Sequence, residues 1–442
     1  MKRGRLSRLA RLGGMASGLA ADVAGAGAHL LTSTADEAAS QLHKQAATRM
    51  AKVFGEMKGL PLKAGQMLSF IDEFIPEEHR SMYADILGQL QNHTPSVEWT
   101  EMEALFRDEF DGLGPDEVFA SFDTTPFAAA SIGQVYRATL HDGTDAVVKI
   151  QYPGVVEAFE SDLANLDVLV GTISHIIPKA DFAKLFEDIT HRVIEEVDYE
   201  HERANQMEFA ALWKGDPQII VPRTFPEYCR SRVLVSEYLS GSDWADMLQQ
   251  TTPQQRSDYG VVIFRFVFES LFRHGLFNGD PHPGNYLFQP DGKVAFIDFG
   301  CVQHYDEDQA IAFRELREAL LSGAPKETFR ALLFRCFGVP TNLDPTLVEV
   351  LEEYIHRTFE PITDPQPYRF TREYSKAILA QTLTLKGEMT KKMIRGKNAY
   401  PLDLEKGDGG IVFLGRIVFG LASILATLDT TGEFRSIVES TR

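Results

Sequence analysis

One short stretch constrains this chain more than any other. It runs Asp280-Pro281-His282-Pro283-Gly284-Asn285, then Tyr286-Leu287-Phe288, a Gln289-Pro290-Asp291-Gly292 turn, an apolar run over 294–297, and finally Asp298-Phe299-Gly300. Pro and Gly inside the turn, with apolar runs on both sides, predict a β-hairpin. Asn285 stands just before the first strand and Asp298 just after the second. Antiparallel pairing therefore brings them side by side at the hairpin's open end, with Asp280 on the loop that leads in. Two oxygen ligands, Asn285 and Asp298, beside a second carboxylate suit a magnesium–phosphate site. Mg²⁺ takes only one or two ligands from protein and the rest from phosphate and water. Three unrelated turn residues would not agree in spacing, order and hairpin at once.

The spacing Asp-x-x-x-x-Asn, then Asp-Phe-Gly, also matches the catalytic-loop and metal motifs of kinases. Upstream, Lys149 lies inside the apolar run 146–150, and a buried lysine needs an acid or a phosphate as its partner. In a kinase-like fold such a lysine touches the α- and β-phosphates and pairs with a helix glutamate. The candidate helix carries Glu195, Glu196, Asp198, Glu200 and Glu202. Taken alone, Lys149 would fit a snorkelling surface lysine equally well; the downstream motif favours the catalytic reading. Where a kinase has its Gly-rich phosphate loop, this chain has Ala128, Ala129, Ala130, Ser131, Ile132, Gly133 and Gln134. Alanine adopts positive φ only at a cost, so the segment is expected to be a stiffer turn than a Gly-rich one.

The 442 residues are 44% hydrophobic and 24% charged, which excludes wholesale disorder, collagen-like repetition and a disulfide scaffold. Cys229, Cys301 and Cys336 have no metal-ligand spacing and read as free thiols of a reducing compartment. The first 45 or so residues are Ala/Gly-rich, and helical patterns continue over 36–74, 77–91 and 96–110, the last with Ser96 as N-cap. Residues 118–127, 134–140 and 146–150 read as strands, with a His141-Asp142-Gly143 turn before the third. A long helical stretch over 155–211 follows, then a strand over 232–238, and mostly helices beyond Ser242. A small strand-rich lobe followed by a large helical lobe is the coarse expectation.

The net charge of −19 argues against broad nucleic-acid binding, but it is unevenly placed. Residues 1–21 carry Lys2, Arg3, Arg5, Arg8 and Arg11 and no acid, which leaves −24 for the remainder. Leu6, Leu9 and Leu12 recur among these cations as a crude amphipathic helix suited to an anionic membrane surface. A solvated basic tail is the plainer reading. Residues 411–426 are the most apolar run, but they are short of the roughly 20 a span requires and contain Arg416. Residues 13–28 are too weakly apolar for a secretory signal. The expected location is cytoplasmic, with peripheral contact at the inner face of a membrane.

These motifs resemble the UbiB/AarF family of atypical kinase-like proteins, associated with ubiquinone and other isoprenoid-lipid metabolism. Lys63-Ala64-Gly65-Gln66 is similar to the family's Lys-x-Gly-Gln signature, Glu196-Val197-Asp198 to its Glu-x-Asp motif, and 128–134 to its Ala-rich nucleotide loop. Residues 5–14 resemble its opening segment, so close to Met1 that little room remains for a mitochondrial transit peptide, which favours a bacterial source. The resemblance implies an α+β, bilobal protein-kinase-like fold. Its parts would be a helical extension (1–112), a small strand-rich N-lobe (113–239) and a large helical C-lobe (240–442). It also implies that Lys149 and Glu202 form the nucleotide-positioning ion pair and that Asp280 occupies the catalytic-base position. Asn285 and Asp298 would hold Mg²⁺, and Glu237, Tyr238 and Leu239 would meet adenine through their backbone. Lys63 and Gln66 would join Glu196 and Asp198 in a gate across the place of a protein substrate. The implied ligands are ATP or ADP with Mg²⁺, and an isoprenoid lipid or quinone precursor.

Two departures stand out. The chain lacks the hydrophobic spans that end many bacterial members, and Asn278-Gly279 replaces the His-Arg of ordinary kinases. The leading expectation is a Mg²⁺-dependent ATPase or kinase-like enzyme that does not phosphorylate proteins in trans. One alternative is an aminoglycoside- or choline-kinase-like phosphotransferase, against which the 63–66 signature speaks. Another is a nucleotide-responsive lipid-binding scaffold with little turnover.

Overall fold

A computed structural model describes residues 44, 97–130, 132–157, 197–337, 343–394 and 411–441. Lys63, Gln66 and Glu196, the helices expected over 1–91, and most of the stretch 155–211 lie outside the described residues. The chain divides into two compact units: one extends to Glu200 and includes Phe225–Ser236, and the other comprises His201–Thr224 and Glu237 onward.

The first unit opens with α1 (Trp99–Glu109), in which Met102, Leu105 and Phe106 are buried at i, i+3 and i+4. Its N-cap is Glu98 rather than the expected Ser96. Helix α2 (Pro115–Val118) then takes Val118 out of the strand expected from that residue, and β1 is only Ser121–Phe122. The strands β2 (Ala128–Ala130), β3 (Gly133–Thr139) and β4 (Asp145–Gln151) follow. Next come α3 (Tyr199–Leu212), which crosses from the first unit into the second, then β5 (Ile219–Ile220) and β6 (Val233–Glu237). The sheet order is β1-β3-β4-β6, with β2 also on β3. Phe106, Phe119, Phe122 and Tyr136 pack on one another with ring centroids 5.4–6.1 Å apart. Large aromatics of this kind bury much apolar surface per residue.

The second unit is mostly helical, as its apolar periodicity predicts. After α4 (Trp244–Gln250), α5 (Pro253–Glu269) opens on a Thr252/Gln255 capping box and ends in a π-helical turn over Ser270–His274. Strands β7 (Leu276–Asn278), β8 (Tyr286–Phe288), β9 (Val294–Phe296) and β10 (Val302–His304) are short. They are followed by α6 (Glu307–Ser322), α7 (Lys326–Phe337), α8 (Pro345–Thr358), α9 (Glu360–Thr363), α10 (Arg372–Ile394), α11 (Ile411–Thr427) and α12 (Phe434–Glu439). The expected hairpin is present: β8 and β9 pair with Tyr286 opposite Phe296. Its turn closes through Gly292, whose φ of 86° suits a residue without Cβ. Behind it Phe266 of α5 stacks on Phe296 with ring centroids 3.6 Å apart. Among the described residues no helix is long and apolar enough to cross a membrane.

Candidate active site

In the first unit the Ala-rich segment is not the turn expected from its sequence. Ala128, Ala129 and Ala130 form strand β2, facing Val135, Gln134 and Gly133 of β3. The correction has a simple cause: alanine at extended φ costs nothing, so the strand continues through Ala130, and Ser131 lies outside the described residues. Gly133 is required for a different reason. A Cβ on it would lie 2.1 Å from the Ile150 carbonyl oxygen, so β3 and β4 could not approach as they do. Ile132 and Gln134 are buried, and Gln134 Oε1 accepts a 2.6 Å bond from the Tyr136 hydroxyl. Burial and the neighbouring Tyr152 push that hydroxyl's pKa well above the ordinary tyrosine value.

Lys149 is half-buried rather than buried. On β4 the fully buried Ala146, Val148 and Ile150 alternate with Asp145, Val147 and Lys149, so the strand pleat turns the lysine to the wetter face. It stands opposite Val135, and its ammonium lies 4.9 Å from the ring centre of the buried Tyr199. Next to it in sequence, Gln151 donates a 2.6 Å bond from Nε2 to the Val197 carbonyl. Asp198, the described member of the expected gate, is exposed and immediately precedes α3.

In the second unit the predicted acids and amide come together. Asn285 Nδ2 donates to the Asp280 carbonyl at 2.9 Å and to its carboxylate Oδ2 at 3.1 Å. With the amide nitrogen committed to Asp280, its Oδ1 is left for an acceptor or ligand role. Across the hairpin's open end, the Ile297 N–H donates to the Asn285 carbonyl at 3.1 Å, which fixes Asn285 beside Asp298. Asp298 Oδ1 accepts from the Gly300 N–H at 3.1 Å. Among the described residues no three His, Cys, Asp or Glu side chains are grouped to hold a metal by themselves. One amide oxygen and one carboxylate fit Mg²⁺ that also takes oxygens from phosphate and water.

Asn278, which sequence reasoning noted only as a departure, ties this cluster together. Its Nδ2 donates to the Asp298 carbonyl at 3.0 Å, and its Oδ1 accepts from the Asp280 N–H at 3.3 Å. A third tie runs from the Gly279 N–H to the Cys301 carbonyl at 2.7 Å, continuing the β7–β10 ladder. An asparagine supplies one donor and one acceptor on a short stem, so a single side chain can hold both segments.

Helix α3 backs the Asp298-Phe299-Gly300 segment with one face. Glu202, Asn205, Gln206 and Phe209 recur at i, i+3, i+4 and i+7 and are all buried. Asn205 Nδ2 donates to the Phe299 carbonyl at 3.0 Å, and the Phe209 and Phe299 rings lie 5.1 Å apart. The Glu202 and Asp298 carboxylates flank Gly300: a Cβ built there would be 3.9 Å from the first and 3.5 Å from the second. Glu202 and Lys149, the expected ion pair, belong to different units, and each is described in its own. At the end of β6, the Glu237 N–H donates to the Arg223 carbonyl at 2.7 Å. Tyr238 and Leu239 follow in irregular, part-buried backbone.

A sequence profile described as an ABC1 atypical kinase-like domain matches residues 89–330, more than half of the chain. The chain belongs to this family. It is the kinase-like family to which the sequence motifs pointed, and the fold is α+β and kinase-like. The mitochondrial atypical kinase COQ8 of Saccharomyces cerevisiae is 32% identical over 317 residues, 71% of this chain and 62% of that protein. The probable serine/threonine-protein kinase abkB of Dictyostelium discoideum is 29% identical over 322 residues, 69% of this chain and 47% of that protein. The chain thus spans about half to three fifths of the length of these curated relatives. The structure of the Rv3197–erythromycin complex from Mycobacterium tuberculosis matches with a TM-score of 0.58 at 26% identity, covering 92% of this chain and 98% of that one.

Proposed function

We propose that the chain is an atypical kinase or ATPase that uses Mg²⁺-ATP in support of ubiquinone or other isoprenoid-lipid metabolism. The observation that carries this reading is the bonding of Asn285 to Asp280 and of Asn278 to both the Asp280 and Asp298 segments, which gathers an amide oxygen and carboxylates of the kind that suit a magnesium–nucleotide complex. Asn285 and Asp298 would hold Mg²⁺, which when bound offsets negative charge on the phosphates. Asp280 would accept a proton from the attacking hydroxyl or water. Lys149 would hold the phosphates with Glu202 as its partner, beside the backbone of 128–134. Glu237, Tyr238 and Leu239 would meet the adenine. Lys63 and Gln66 of the 1–112 extension, with Glu196 and Asp198, would close the site to protein substrates.

The test is ATP hydrolysis by purified protein, with and without anionic liposomes and a quinone-precursor-like phenol. Asp298→Asn replaces a charged ligand by a neutral one and is expected to abolish Mg²⁺-nucleotide binding; unchanged affinity by calorimetry would remove the metal assignment. Erythromycin, which the mycobacterial relative holds, supports a second reading in which a bulky amphiphilic ring compound is the acceptor or regulator. Stimulation of turnover by erythromycin but not by the phenol would favour it.

A further inference from the structure

The loop that carries Asp280 is seated against a distant helix at one point. Gly420, in the middle of α11, faces Pro281: a Cβ built on the glycine would lie 2.8 Å from the proline Cγ and 3.6 Å from its carbonyl oxygen. Real Cβ atoms do not approach that closely, so any residue other than glycine must push either the helix or the proline away. The helix has little freedom to yield. Val418, Leu421, Ala422 and Leu425 anchor one stripe of α11 in the core, and Ile424, one turn beyond Gly420, is also buried.

Repuckering can move the Pro281 Cγ, but what the ring does not absorb must move the proline as a whole. Its ring fixes φ, so a displaced proline carries its neighbours with it. Those neighbours are Asp280, whose carbonyl and carboxylate both accept from Asn285, and His282, whose N–H donates to the Asp280 carbonyl at 2.8 Å. Glycine in a helix interior lowers helix propensity, so a glycine here works against α11 unless the close approach requires it. We propose that Gly420 is a positioning residue for the catalytic loop, the notch in α11 that sets where Pro281, and through it Asp280, comes to rest. This deepens the proposed function and rests on Asp280 being the proton acceptor. A displacement of about 1 Å at such a group is enough to cost on the order of 10²-fold in rate.

The experiment compares Gly420→Ala, Pro281→Ala and the double variant in the full chain. It reads ATP turnover and amide hydrogen exchange over residues 280–285. Gly420→Ala should lower kcat by roughly 10- to 100-fold, leave KM within about twofold, speed exchange over 280–285 and leave the melting temperature unchanged or raised. Removing the ring atoms that the new methyl meets should relieve it, so the double variant should recover turnover and exchange to the level of Pro281→Ala. Wild-type exchange over 280–285 in Gly420→Ala, or a double variant no better than the single, overturns the proposal. If Gly420→Ala does not fold, a folded double variant supports the notch and an unfolded one overturns it. A wild-type chain without ATP turnover would remove the proposed function instead, and the exchange comparison would still decide the role of Gly420.

Discussion

Lys149 and the Asp280–Asn285–Asp298 cluster are aimed by different means. The lysine is aimed by a strand: its direction follows from the β3–β4 register and from the burial of Ala146, Val148 and Ile150 on the opposite side of the pleat. Asp280 and Asp298 lie on irregular backbone and Asn285 ends a single 3-10 turn (Pro283–Asn285), and this cluster is held by side chain-to-backbone bonds from Asn278, Asn285 and Asn205. A regular ladder fixes a side chain cheaply but offers only two directions. A loop can point a group anywhere, provided that each polar atom finds a partner.

The largest effect that separates the two is expected at Lys149. Lys149→Met should lower ATP turnover by about 10²-fold, the usual cost of removing one charged clamp on a reacting phosphate. Amide exchange along β3 and β4 should not change, because no ladder bond involves that side chain. Faster exchange in these strands would mean that the lysine holds the sheet, apart from its proposed role at the phosphates.

Asn278→Ala should do the reverse in kind and less in size. It removes the bonds to the Asp298 carbonyl and the Asp280 N–H together, taking one partner from each of two backbone groups. A stability loss of about 1–3 kcal/mol in urea melts, with turnover down roughly tenfold and faster exchange at Gly279 and Asp280, is expected. Full stability with full activity would show that the β7–β10 ladder alone holds the loop.

The same contrast explains what could be read from the sequence. The β8–β9 hairpin was legible because its strands, its turn and the flanking Asn285 and Asp298 fall within one short segment, where local spacing dictates geometry. The fate of Ala128–Ala130 was not: alanine suits a strand as well as a turn edge, and the choice follows from pairing with β3. Lys149 was legible as strand-borne, but its half-burial depends on what covers each face of the sheet. Asn278 looked like a mere replacement for a kinase histidine, because the bond that gives it meaning reaches Asp298 on another strand end. Gly420 gave no local signal, since the proline it accommodates lies on a loop far away in sequence. Lys63, Gln66 and Glu196 lie outside the described residues and remain readings of motif.

The smallest expected effect tests how the network-held region is anchored at its rim. Asp216 follows α3 and leads into β5, which runs beside β9 on the way to Asp298. Its carboxylate makes two bonds with the Arg265 guanidinium of α5, at 2.7 and 2.5 Å, and accepts the N–H groups of Gln218 and Ile219, each at 2.9 Å. Burial alone would raise its pKa, but Arg265 and the two N–H donors outweigh it and hold the group below its ordinary value of 3.8. A carboxylate depressed in the folded state stabilises above its unfolded pKa, and that contribution disappears as pH falls through the folded value. Asp216→Asn keeps an oxygen for the backbone donors but loses the charge and the acceptor that faces Arg265 Nη1. It should therefore cost about 1 kcal/mol at pH 7, the range of a well-formed but partly screened pair, and progressively less as pH falls below about 4. Urea melts of both proteins at pH 7 and pH 3 measure this. An equal deficit at the two pH values would assign the cost to lost packing, and the rim of the site would then be held by the β5–β9 pairing rather than by charge.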